Sequence, residues 1–109
     1  MKFPQRSIPD ISQLESQYEP ADIRFYLVEA FNQPTGQYEN AEDKKIKYLA
    51  LERLVEGKNA KYTSILAVHG KELQDAHRID LTPEIETKIV DMAHHIYTEA
   101  EILLSARAL

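Results

Sequence analysis

From Pro83 to its last residue the chain contains neither glycine nor a further proline, and its apolar residues return at intervals of three and four. Ile85, Ile89, Met92, Ala93, Ile96, Ala100, Leu103 and Leu104 therefore gather on one stripe when each residue turns the chain by about 100°. The start of this segment is marked just as clearly. Thr82 supplies a side-chain oxygen for an N-cap, Pro83 fits the first helical position, where no N–H is needed, and Glu84 places a negative charge against the positive end of the helix dipole. A long amphipathic helix running almost to Leu109 follows, and the rest of the chain has to cover its apolar stripe.

The remaining segments read as helices by the same logic. Pro4 and Pro9 make residues 1–10 an irregular arm, and residues 11–109 form one domain. Ser12 and Glu15 stand at the S-x-x-E spacing of a capping box and open a short helix. Pro20-Ala21-Asp22 opens a second, which ends near Asn32. Gly36 marks a turn in the loop that follows, Asn40 caps a third helix, and Gly57 stops it. Asn59 caps a fourth that is expected to run unbroken from 60 to 78. No segment alternates apolar and polar residues in the period of a strand, so the fold class is all-α. Four main helices joined by short loops, with a short additional N-terminal helix, make an up-down antiparallel bundle the expected architecture.

Charge and composition narrow the function. Eighteen acidic and 13 basic residues give a net charge of −5, which repels a phosphate backbone and argues against direct nucleic-acid binding. Lys44, Lys45 and Lys47 form the one basic cluster and read as a solvated helix face rather than a phosphate site. With no cysteine, disulfides and thiolate chemistry are excluded, and a reducing, cytoplasmic setting fits. No apolar run is long enough to span a bilayer.

The residues with chemical potential are concentrated in AVHGKELQDAH. His69 falls inside the apolar stripe of the 60–78 helix, with Tyr62, Ile65, Leu66, Leu73 and Ala76, where a neutral imidazole needs a hydrogen-bond partner. His77 sits at the edge of that stripe, while Glu72 and Asp75 point progressively away from it, so these groups do not converge. His94 and His95 lie off the stripe of the last helix and face solvent or a flank. Neither a catalytic set nor a metal or cofactor site emerges from these spacings.

Glu39-x-x-Glu42 followed by Glu72-x-x-Asp75 on a later helix resembles the magnesium-binding pattern of the all-α MazG-type nucleotide pyrophosphohydrolases. That resemblance implies a small metal-dependent hydrolase, with His69 beside the acids, as the alternative function.

Excess apolar surface points elsewhere. In the second helix Ile23, Tyr26, Leu27, Ala30 and Phe31 form one face, yet Phe25 and Val28 project from roughly the opposite side. In the third helix Ile46, Leu49, Ala50 and Leu54 form a face that Tyr48, Leu51 and Val55 widen beyond half the circumference. Such a helix is either central in its own core or shared with a partner. Phe25, Val28, Tyr48, Leu51 and Val55 are thus the candidate partner-binding residues. The expected function is an acidic protein-binding module, of adaptor, regulator or inhibitor type. It is expected to form a homodimer and to bind another protein, with basic proteins among the candidates.

Overall fold

Thr82 accepts a hydrogen bond from the Ile85 amide at 3.2 Å and opens the longest helix of the computed structural model, which describes residues 7–34, 39–56 and 60–107. In chain order the helices are α1 (Ser12–Glu15), α2 (Pro20–Asn32), α3 (Ala41–Val55), α4 (Ala60–Ala67), α5 (Gly70–Ala76) and α6 (Pro83–Arg107). No strand occurs among the described residues, and no described helix is long and apolar enough to cross a membrane. The all-α bundle is the observed class.

The starts of these helices follow from local chemistry. Pro20 occupies the first turn of α2, and the Asn40 side chain accepts from the Asp43 amide at 2.8 Å to cap α3. The start of α1 departs from the expected capping box. Its first amide, that of Ser12, is taken by the Asp10 carboxylate at 2.9 Å, which leaves Glu15 to serve a different partner. The expected turn at Gly36, the stop at Gly57, the Asn59 cap and the first part of the N-terminal arm lie outside the described residues.

The helix expected over 60–78 is two helices. Val68 and His69 leave helical geometry, His69 at φ −118° and ψ 30°, and the His69 amide turns back to the Leu66 carbonyl. Gly70 follows at once, a residue whose backbone entropy makes helix about 1 kcal/mol less favourable than for alanine. The break lets the imidazole lie against Phe31 and Tyr48, with ring centroids 5.7 and 5.2 Å away.

Packing centres on α6, which lies against both α2 and α3, while α3 also packs on α5 and α2 on α4. Consecutive helices are thus not simply one another's neighbours. The core gathers Ile23, Leu27 and Phe31 of α2, Tyr62 and Ile65 of α4, and Ile89, Ile96 and Leu104 of α6, with Ile11 and Leu14 contributed by the N-terminal segment. Each such aliphatic or aromatic side chain removed from water stabilises the fold by about 1.5–3 kcal/mol before entropy is counted.

Helix α3 packs against α4, α5 and α6, and this corrects two expectations. Leu51 is 1% exposed and Val55 fully buried, so they serve the chain's own core and offer no surface to a partner. Lys47, expected on a solvated face, is 5% exposed. It is in phase with Ala50, Leu51 and Leu54, three, four and seven residues on, and that spacing was the signal of its burial.

Candidate functional site

The five residues singled out as partner-binding end in different places. Two are core, as described. Tyr48 is half-buried, its ring 5.0 Å from Phe31. Val28 is half-buried and packs on the core. Phe25 alone stands clear, 58% exposed.

The reason is helical phase. Ile23, Leu27, Ala30 and Phe31 point α2 into the core, and Phe25, two residues from both Ile23 and Leu27, lies about 200° round from each. The outer face of α2 therefore carries Ala21, Phe25, Glu29 and Asn32 in succession, all exposed, with Val28 at its flank. Tyr26 supports Phe25 from the side, the rings meeting edge to face at 5.0 Å, a favoured aromatic geometry. Beyond Tyr26, Arg107 lies over its ring at 6.0 Å and forms an ion pair with Asp22. The last turn of α6 is thereby fastened to the first turn of α2. The single basic residue of α2, Arg24, turns to the flank and donates to the Lys61 carbonyl at 2.8 Å. Glu19 and Glu29 are exposed and have no ion-pair partner among the described residues.

A second cluster holds the elbow between α4 and α5. The Lys47 ammonium donates to the Gln33 carbonyl at 2.8 Å and to Glu39 at 3.0 Å, and it sits 5.3 Å from the Phe31 ring. Phe31, Tyr48 and His69 form a ring triangle beside it. Burial, with Glu72 nearby, pushes the Tyr48 hydroxyl above its ordinary range. His69 thus finds aromatic neighbours, a role consistent with packing. Val68 next to it is 76% exposed, one of several outward apolar side chains the sequence reading did not single out, as are Leu81 and Ile102.

Two acids of the pyrophosphohydrolase-like pattern pair with different cations. Glu39 pairs with Lys47, and Glu42 lies 3.5 Å from Lys88. Among the described residues no three His, Asp or Glu side chains gather as a metal site requires. The other histidines are separated as well. His77 shares a hydrogen bond with Glu52 at 2.8 Å, and His94 reaches the Ser7 carbonyl at 2.8 Å. His95 lines a shallow groove between α3 and α6 with Asp43, Ile46, Lys88, Asp91 and Met92.

Compared with models of protein families, with characterised proteins and with solved structures, the chain matches none.

Proposed function

We propose that this chain is a small acidic protein-binding module, acting as an adaptor, regulator or inhibitor through the outer face of α2. The observation that carries the reading is Phe25, a large aromatic side chain 58% exposed at the middle of a helix whose inward face is already filled. Its ring meets Tyr26 edge to face, and aromatic side chains are among those that dominate the energetics of protein interfaces. A supported ring loses little conformational freedom on docking, which lowers the cost of association. The absence of cysteine fits a cytoplasmic setting for such a module.

The test is a photoreactive phenylalanine analogue at position 25, irradiated in the producing cell. A discrete adduct is expected, with none from the same analogue at Gln74, an exposed residue of α5. Equal yields at the two positions, or none at 25, would remove α2 as a docking face.

A further inference from the structure

We infer that the occupant of the α2 face is a basic protein segment presenting an apolar cleft between lysine or arginine side chains, rather than a second copy of this chain. The inference rests on the docking reading above and adds the chemistry of the partner. Exposed Glu29 follows Phe25 by one turn on the same face, and exposed Glu19 stands at the entry to the helix. Both carboxylates lack an ion-pair partner among the described residues. The two arginines nearest this face have partners other than these glutamates: Arg24 donates to the Lys61 carbonyl, and Arg107 is paired with Asp22 of α2 itself.

Symmetry argues against the second copy. A two-fold interface sets the same face of two chains against itself, and each of those chains carries a net charge of −5. Like charges brought together at an interface disfavour that pairing, whereas a basic segment gains attraction and faster encounter from the same carboxylates. The apolar width of α3, which would have favoured self-association, is spent inside the chain, since Leu51 and Val55 are core.

The experiment uses the full chain and three synthetic amphipathic peptides of one length, combining leucine with lysine, with serine or with glutamate. Binding is followed by amide chemical shifts and by titration at low and physiological salt. The leucine-lysine peptide is expected to perturb residues 20–32, to weaken as salt shortens the screening length to about 8 Å, and to lose about thirtyfold in affinity with Phe25→Ser. Glu29→Lys is expected to weaken it more than Asp75→Lys, which changes net charge equally but sits on exposed α5. Equal losses in the two charge variants would reduce the effect to general attraction and overturn the inference.

Equal binding of the leucine-serine peptide to α2 would also overturn the basic partner, while leaving a docking face intact. Sedimentation showing a dimer of wild type that Phe25→Ser dissociates would replace the basic segment by a second copy. Circular dichroism of each variant establishes that it is folded. If no peptide reaches α2 although photo-crosslinking at position 25 succeeds, the partner chemistry is wrong and the docking reading stands.

Discussion

The Tyr62 hydroxyl donates to the Glu15 carboxylate at 2.8 Å, a bond between the N-terminal segment and α4 made by a tyrosine only 1% exposed. Burial and this bond together raise the Tyr62 ionisation well above its ordinary value. Removing the two partners should not cost the same. Tyr62→Phe takes away donor and desolvated hydroxyl together and is expected to cost about 1 kcal/mol. Glu15→Ala leaves the buried hydroxyl unsatisfied and is expected to cost about 1–3 kcal/mol. Urea midpoints of the two variants check the order, and a cheaper Glu15→Ala would mean the hydroxyl has another acceptor.

Alkaline pH should destabilise the protein through the same group. Tyr48, Tyr62 and Tyr97 all ionise above the free tyrosine range, chiefly because burial disfavours the phenolate. Their folded values exceed the unfolded value of about 10, so the folded state holds protons that the unfolded chain gives up. The stability they contribute is present below pH of about 10 and is lost as pH rises through the folded values. A phenolate absorbance titration of native protein should lag behind that of urea-unfolded protein. Coincident curves would contradict the burial.

At the acid end the signal is Glu86. Hydrogen bonds from Arg53 at 2.9 and 3.2 Å hold its carboxyl below the usual range. Its contribution is present above the unfolded pKa of about 4.3 and lost as pH falls through the lower folded value. Because the Glu86 side chain is 37% exposed, screening limits the effect of Glu86→Gln to about 0.5–1 kcal/mol at neutral pH. That difference should shrink as pH falls through the lowered folded value and vanish once both states are protonated, measured by urea midpoints across the acid range.

Lys47 is expected to be the costliest of the lysines between Asp43 and Tyr48 to remove. Lys47→Met keeps the apolar stem but strips the Gln33 carbonyl and Glu39 of their donor. With Glu39 partly exposed, the expected loss is about 2–3 kcal/mol. Lys44→Met, at an exposed position, should stay within about 0.5 kcal/mol. Comparable losses in thermal or urea unfolding would place Lys47 in solvent.

Phe25 and Leu51 make the sharpest contrast, since both are apolar residues outside the main stripes of their helices. Leu51→Ala empties a core site and should cost about 2–5 kcal/mol. Phe25→Ser, on an outer face, is expected to change stability by no more than about 0.5 kcal/mol. A Phe25→Ser variant as unstable as Leu51→Ala would show that the ring is packed away.

What the sequence by itself determined is whatever depends on neighbours along the chain. Thr82-Pro83, Pro20 and Asn40 start helices because each satisfies or dispenses with an amide of the first turn, and the inward stripe of α6 follows from 3.6 residues per turn. The tertiary structure decided which of two apolar sides is covered. Phe25 and Leu51 are alike in local pattern, yet packing buries one among α3, α5 and α6 and leaves the other on the outer face of α2, because coverage depends on chain segments tens of residues away. The same long-range packing broke the 60–78 helix at His69, where the gain of ring contacts with Phe31 and Tyr48 offsets the lost helical turn. It also drew Lys47 inward, where the carbonyl and carboxylate that receive it come from the residue just past the end of α2 and from the loop before α3.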